Sequence, residues 1–134
     1  MIVRTLLVVD DNPADLDLCR LIFEPTGHYE KIVTVNTAEK ALALLSTGPD
    51  QLQPDVILLD INMPGMDGFE FIEAYKVLRS RTHDTAVVVM LSSSTDPRDH
   101  ARARESGIVR HFVTKPPSEH DAQQIAELFG SERG

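Results

Sequence analysis

Three segments of this chain, at residues 5–9, 55–59 and 86–91, are hydrophobic almost throughout instead of alternating with polar residues. Strands with that pattern are covered on both faces, as they are in a parallel sheet. Two further β-branched segments, at residues 31–35 and 111–114, bring the number of predicted strands to five.

Helical patterns fill the intervals between the predicted strands. Asn12 and Pro13 followed by Asp15 supply an N-cap, a proline in the first turn and an acid near the positive end of a helix. Asn36 and Glu39 resemble a capping box for the second helix. The other predicted helix starts are Asp67, Asp96 and Ser118, and the predicted stops are Gly48, Pro49, Gly107 and Gly130.

A regular alternation of strand and helix, five times over, predicts an α/β fold. We expect a doubly wound five-stranded parallel sheet with right-handed crossovers, helices on both faces and the strand order 2-1-3-4-5. In such a sheet, ligands bind beyond the carboxyl ends of the strands where the order reverses, here between the first and third strands. Residues 1–134 are expected to form a single domain.

Both strands at that point end in acids. The first predicted strand is followed by Asp10 and Asp11, and the third by Asp60. Three carboxylates in one crevice repel one another unless some bind protons or a cation neutralises them. Oxygen ligands suit a hard divalent ion, most plausibly Mg²⁺. A single acid after a strand is as often a turn or cap residue, but three at one point favour a metal site.

Two further strand ends reach the same crevice. The fourth predicted strand ends near Ser92 and the fifth ends at Lys115. Alone, Ser92 could be a helix cap and Lys115 a surface lysine. Together with the acids and a metal, they form a phosphoryl-transfer site in which a carboxylate attacks phosphorus and positive charge neutralises the phosphoryl oxygens.

The chain resembles the receiver domains of two-component response regulators over residues 4–129. The resemblance is carried by the acidic pair Asp10-Asp11, by LLDINMPGMDG around Asp60, by Ser92 in MLSSS, and by Lys115-Pro116. It implies that Asp60 is the phospho-acceptor, taking a phosphoryl group from a histidine kinase or a histidine phosphotransfer protein. It also agrees with the predicted strand order, for which a chemotaxis member of this family is a known example.

The resemblance further implies a ligand set for the metal. Asp11, Asp60 and the backbone carbonyl of Asn62 would bind Mg²⁺ directly, with Asp10 acting through a metal-bound water and Mn²⁺ as a substitute ion. Lys115 would pair with the phosphoryl oxygens and would precede a cis peptide bond.

Two more positions match the switch of this family. Ser92 corresponds to its Thr or Ser residue, and Phe112, three residues before Lys115, corresponds to its aromatic partner. The alternative for Phe112 is a plain core aromatic. Asn62 and Ser94 occupy positions that tune the lifetime of the acyl phosphate, and Pro117 departs from the apolar residue usual there.

The net charge and composition of the chain indicate which partners and which cell compartment to expect. The formal net charge of −8 argues against binding to nucleic acid. No apolar run approaches the roughly 20 residues that span a bilayer, and the single cysteine, Cys19, suits a reducing cytoplasm. We expect a stand-alone regulator without an output domain, which acts on a downstream protein or on a second copy of itself.

The sequence favours a phospho-acceptor module, which is not a turnover enzyme, over two other functions. A Mg²⁺-dependent phosphohydrolase with an aspartyl nucleophile requires a second acid two residues after the nucleophile, where this chain has Asn62. An inert interaction domain with a receiver-like fold would lack the acceptor or the lysine, and this chain has both Asp60 and Lys115.

Overall fold

The computed structural model describes residues 2–46, 48, 51–82, 86–93 and 96–133. Five strands are present in that part of the chain: β1 (Val3–Val9), β2 (Tyr29–Val35), β3 (Val56–Asp60), β4 (Val87–Ser92) and β5 (Val109–Thr114). They alternate with the helices α1 (Pro13–Phe23), α2 (Ala38–Leu45), α3 (Gly68–Thr82), α4 (Pro97–Glu105) and α5 (Glu119–Arg133). A 3₁₀ turn, Glu24–Thr26, extends α1.

The strands form one parallel sheet in the order β2-β1-β3-β4-β5. Strand β1 pairs with β2 on one side and with β3 on the other, so the order reverses between β1 and β3. The predicted doubly wound sheet with the order 2-1-3-4-5 is therefore confirmed. The carboxyl ends of β1 and β3 lie side by side, which places the acids that follow them at one edge.

Alternate residues of each central strand enter two separate hydrophobic layers. Leu6 and Val8 of β1 pack with Leu58 of β3 in a layer that includes residues of α1 and α5. Leu7 and Val9 pack in the opposite layer, which includes residues of α2, α3 and α4. Both faces of the sheet are covered, and this explains why the central strands are apolar at consecutive positions. Within the described residues, no helix is long and apolar enough to cross a membrane.

The predicted caps of α1 and α4 are confirmed, whereas the predicted cap of α2 is wrong. The side chain of Asn12 accepts a hydrogen bond from the amide of Ala14 at the start of α1, and that of Asp96 accepts one from the amide of Arg98 at the start of α4. The cap of α2 is Thr37, whose hydroxyl accepts from the amide of Lys40 at 3.1 Å.

Asn36 and Glu39 therefore do not form a capping box. Asn36 instead accepts a hydrogen bond from the ammonium of Lys40, and Glu39 accepts one from the amide of Met66 in the loop after β3. Thr37 caps the helix because it directly precedes the first helical residue, so its hydroxyl reaches the third amide of the helix.

The helix ends also differ in part from prediction. Gly107, with φ of 82°, follows α4 in the left-handed conformation that a glycine adopts without strain. Helix α2 ends at Leu45, before Gly48, and α5 continues through Gly130 to Arg133. A glycine in the last turn weakens a helix by about 1 kcal/mol relative to alanine, too little to end one that packs against the sheet. Pro49 and Ser94 lie outside the described residues.

Candidate functional site

Three carboxylates meet at the carboxyl edge of the sheet. Asp10 directly follows β1, Asp11 is next, and Asp60 is the last residue of β3. Each offers a carboxylate oxygen, and these oxygens all lie within 4.8 Å of one another. Asp10 and Asp60 are buried, at 0% and 4% exposure, whereas Asp11 is exposed. The predicted gathering of the acids at the switch point is thus present, with one acid open to solvent.

The backbone holds Asp10 in place on both sides. Its amide donates to the carbonyl of Val35 at 3.2 Å, which continues the pairing of β1 with β2 by one residue. Its Oδ1 accepts a hydrogen bond from the amide of Asn12 at 2.9 Å, so the chain turns sharply from the strand into α1. Strand, turn and helix therefore fix the orientation of this carboxylate before any ligand binds.

The loop after β3 folds back tightly on the acceptor strand. The amide of Gly68 donates to the carbonyl of Ile61 at 2.8 Å. A Cβ atom at Gly68 would lie 2.5 Å from the carbonyl oxygen of Asp60, so only glycine fits at this close approach. The amide of Asn62 donates a hydrogen bond to the Asp60 carboxylate. This packing keeps the Asn62 backbone beside the acceptor.

A capping box closes the same loop at the start of α3. The amide of Glu70 donates to the Asp67 carboxylate at 2.8 Å, and the amide of Asp67 donates to the Glu70 carboxylate at 3.1 Å. This reciprocal pair satisfies two otherwise free helix amides and fixes the entry into the helix. The prediction that α3 opens at Asp67 is confirmed.

Lys115 brings a positive charge among the acids. Its ammonium lies 2.8 Å from Asp10 Oδ2 and 3.3 Å from Asp60 Oδ1, and it donates a hydrogen bond to Asp15 Oδ2 at 2.7 Å. The contact with Asp10 is an ion pair whose angles do not meet those of a hydrogen bond. The backbone amide of Lys115 donates to the carbonyl of Ser92 at 2.8 Å, and the predicted cis Lys115-Pro116 bond is present.

The ionisation of the site is shifted by burial and by the neighbouring charges. Burial, together with the charge of Asp10, raises the pKa of Asp60 to about 6 against the opposing effect of Lys115. Burial likewise raises the pKa of Asp10. For Lys115, burial lowers the pKa, but the close contacts with Asp10 and Asp15 and the charge of Asp60 outweigh it, so the net shift is upward. The lysine is therefore fully charged at neutral pH.

The cluster of Asp10, Asp11 and Asp60 fits a metal ion. Its ligand atoms are all carboxylate oxygens, and two of the three acids, Asp10 and Asp60, pair with the Lys115 ammonium. Burial is the main cause of the raised pKa values of Asp10 and Asp60, and Lys115 offsets it only in part. A hard divalent cation would supply the missing positive charge.

The two predicted switch residues lie at different depths. Ser92, the last residue of β4, is fully buried, and its carbonyl accepts the hydrogen bond from the Lys115 amide. Phe112 of β5 is half-buried, and its ring stacks on that of His100 of α4 with centroids 3.7 Å apart and planes inclined by 23°. A cavity of about 200 Å³ between α4 and β5 is lined by both rings. The aromatic ring is thus a surface contact between α4 and β5 as well as a core group.

Two contacts were not anticipated from the sequence. Asp15 was interpreted as an acid favoured by the helix N-terminus, but it also pairs with Lys115, which is 100 positions away along the chain. Its place in the first turn of α1, shortly after the acids that follow β1, is the signal that could have revealed this. The stacking of His100 on Phe112 has no comparable signal, because it depends on the rotation of α4 about its axis.

Comparison with known proteins gives one consistent result. The model of the response regulator receiver domain family matches residues 6–127. The chain is 32% identical over 119 residues to the sensor histidine kinase GacS of Pseudomonas protegens, covering 89% of this chain and 12% of that protein. It is 33% identical over 129 residues to the two-component response regulator ORR1 of Oryza sativa, covering 92% of this chain and 54% of that protein.

A solved structure has the same fold. The crystal structure of a two-component response regulator from Cytophaga hutchinsonii superimposes with a TM-score of 0.87 at 30% identity, covering 98% of this chain and 99% of that one. The curated relatives are longer, and this chain spans between 12% of GacS and 54% of ORR1.

Proposed function

The chain belongs to the response regulator receiver domain family, and on that premise we propose that Asp60 accepts a phosphoryl group from a histidine kinase or a histidine phosphotransfer protein. The observation that carries this assignment is the position of Asp60. It is a buried carboxylate at a strand end, between two other carboxylates and within 3.3 Å of the Lys115 ammonium.

The transfer is a displacement at phosphorus. An oxygen of the Asp60 carboxylate forms a bond to the phosphorus of the phosphohistidine as the phosphorus–nitrogen bond breaks. The electron pair of that bond stays on the imidazole nitrogen, and the product on this chain is an acyl phosphate. Lys115, charged and already beside Asp60, would neutralise the phosphoryl oxygens.

We propose Mg²⁺, with Mn²⁺ as a substitute, as the metal at this site. Asp11, Asp60 and the backbone carbonyl of Asn62 would hold it, with Asp10 acting through a water. When bound, the ion supplies positive charge that offsets the repulsion between the carboxylates and an anionic phosphodonor. The close packing of the Asn62 backbone against Asp60, through its amide hydrogen bond, supports this ligand set.

The conformational change that follows phosphorylation of Asp60 would pass from Ser92 to Phe112. A phosphoryl group on Asp60 adds negative charge and strong acceptors, toward which the Ser92 hydroxyl would move. Phe112 would then rotate from its stack on His100, reshaping the surface formed by α4, β5 and α5. That surface would bind a downstream protein or a second copy of this chain.

Receiver domains are signalling modules and not classical enzymes, so we propose stoichiometric phosphorylation with slow loss of the phosphoryl group. We place the protein in the cytoplasm, which its single, buried, unpaired Cys19 supports. That the chain is a stand-alone regulator without an output domain stays a prediction.

Labelling with a small phosphodonor tests the proposal. Incubated with acetyl phosphate and Mg²⁺, the protein should gain the mass of one phosphoryl group, because the carboxylate can attack any activated phosphoryl donor. Asp60→Asn should gain none, and excess EDTA should abolish the gain in the wild type. Intact-protein mass spectrometry measures all three.

Asp17→Asn is the matched control, since it removes the same charge at an exposed position of α1. It should label as the wild type does. Full labelling of Asp60→Asn would overturn the assignment of the acceptor. Rapid release of phosphate from acetyl phosphate without accumulation of the labelled protein would favour the phosphohydrolase instead.

A further inference from the structure

We propose that Asp15 is a positioning residue that restrains Lys115 in the unphosphorylated protein and thereby slows phosphorylation of Asp60. Asp15 lies in the first turn of α1, outside the cluster of Asp10, Asp11 and Asp60. The inference rests on the proposed function, because it concerns how readily Lys115 reaches the phosphoryl group.

The contact lengths show where the ammonium is held. Lys115 Nζ donates a hydrogen bond of 2.7 Å to Asp15 Oδ2, whereas its distance to Asp60 Oδ1 is 3.3 Å. A hydrogen bond between two charged groups is stronger than one between neutral groups and strengthens as it shortens. The lysine is therefore drawn toward Asp15 and away from the acceptor that it would serve.

The number of donors on the ammonium makes this a competition. A lysine ammonium has three N–H donors, and three carboxylates, of Asp10, Asp15 and Asp60, lie within 3.3 Å of it. A phosphoryl oxygen that binds this ammonium therefore competes with these carboxylates for it.

Burial decides which contact is given up most easily. The side chain of Asp15 is 29% exposed, compared with 0% for Asp10 and 6% for Asp60. Water can solvate the Asp15 carboxylate when the lysine leaves, but Asp10 would be left as a buried and uncompensated charge. The contact with Asp15 is therefore the one that is exchanged for the phosphoryl group.

The local structure keeps Asp15 in this position. Asn12 caps α1 and Pro13 occupies its first turn, so the direction of the Asp15 side chain is set by a rigid helix start. The positive end of the helix also favours a carboxylate there. Asp17, two residues further along α1, is exposed and lies on another face.

The test compares initial rates of labelling by acetyl phosphate at saturating Mg²⁺ for the wild type, Asp15→Asn and Asp17→Asn. Asp15→Asn should be labelled about three to ten times faster, since a partly exposed charged hydrogen bond is lost. Asp17→Asn should match the wild type. Asp15→Ala is a second variant with the same expected direction, and circular dichroism establishes that each variant is folded.

Salt separates the loss of a restraint from a general effect of charge. Near 1 M salt, the Debye length is about 3 Å, so a long-range repulsion of the anionic donor is screened while a direct contact persists. The ratio of the Asp15→Asn rate to the wild-type rate should therefore stay above one in high salt. A ratio that falls to one in high salt would overturn the inference.

The remaining outcomes are also distinct. If the wild type is not labelled at all, the proposed function fails. If the wild type is labelled and Asp15→Asn has the same rate, Asp15 does not restrain the lysine. If Asp15→Asn is slower, Asp15 directs Lys115 toward the acceptor, which is the opposite of the role proposed here.

Discussion

At the residue scale, the site depends on one ammonium among several carboxylates. Lys115 is only 17% exposed and lies within 3.3 Å of three acids, two of which are almost fully buried. Since buried carboxylates without a counter-charge are costly, the lysine stabilises the metal-free protein as well as serving the reaction.

Lys115→Met is expected to destabilise the metal-free protein at pH 7 by about 3 kcal/mol, because it leaves Asp10 and Asp60 buried without a counter-charge. This destabilisation should be smaller near pH 5, where protonation of the buried carboxylates relieves their repulsion. Urea unfolding at the two pH values in EDTA measures it. Lys115→Arg, which keeps the charge, is the control and should lose less. Equal stability of Lys115→Met and the wild type would show that the ion pairs contribute nothing.

The acids could be predicted from the sequence but their partners could not. Asp10, Asp11 and Asp60 each follow an apolar strand, so the topology alone brings them together. The pairing of Asp15 with Lys115 depends on side-chain directions across two elements, and a one-dimensional pattern does not contain these. The helix-end interpretation of Asp15 was correct but incomplete.

At the element scale, the strands were easier to predict than the ends of the helices. Burial on both faces imposes an apolar residue at each of the first four positions of β3, Val56 to Leu59, and that signal is visible in the sequence. A helix end depends on small differences between competing caps, as the choice of Thr37 over Asn36 illustrates. Tertiary packing overrode the glycine signal at Gly130.

Ser92→Ala tests whether β4 passes the signal to β5. This variant should still accept a phosphoryl group at Asp60 but should lose most of the phosphorylation-dependent change in amide exchange across residues 92–129. The reason is that the hydroxyl, which would follow the phosphoryl group, is the proposed link to Phe112. Hydrogen–deuterium exchange with and without acetyl phosphate measures the change.

Ser93→Ala is the matched control, because Ser93 is the adjacent hydroxyl and is exposed. It should respond as the wild type does. If exchange changes only in the loop around Asp60, or changes equally in Ser92→Ala, the hydroxyl and the aromatic ring do not carry the signal.

At the scale of the whole molecule, the buried acid Asp60 lowers the stability of the metal-free protein at neutral pH. The pKa of Asp60 is about 6 in the folded protein, above its ordinary value of 3.8, so the folded state binds the proton more tightly than the unfolded chain does. Stability contributed by the protonated group is therefore present at low pH and is lost as the pH rises from about 4 to about 6. Above pH 6, the free energy of unfolding is lower by about 3 kcal/mol, because the pKa of Asp60 is raised by roughly two units.

Asp60→Asn should remove this loss. In EDTA, its free energy of unfolding should exceed that of the wild type by an amount that grows between about pH 4 and pH 6 and is constant above. Comparing the two proteins cancels the contributions of the acids that lie far from Asp60. Mg²⁺ should raise the wild-type melting temperature at pH 7 by mass action. A pH-independent difference would contradict the raised pKa.

The most direct test of the proposal is to locate the phosphoryl group. After labelling with acetyl phosphate and Mg²⁺, borohydride reduces an aspartyl phosphate to homoserine, and tandem mass spectrometry of the digest identifies the position. We predict homoserine at position 60 and at no other acid of the chain. Reduction at position 10 or 11 instead of position 60, or no reduction at any aspartate in a labelled sample, would contradict the assignment of Asp60 as the phospho-acceptor.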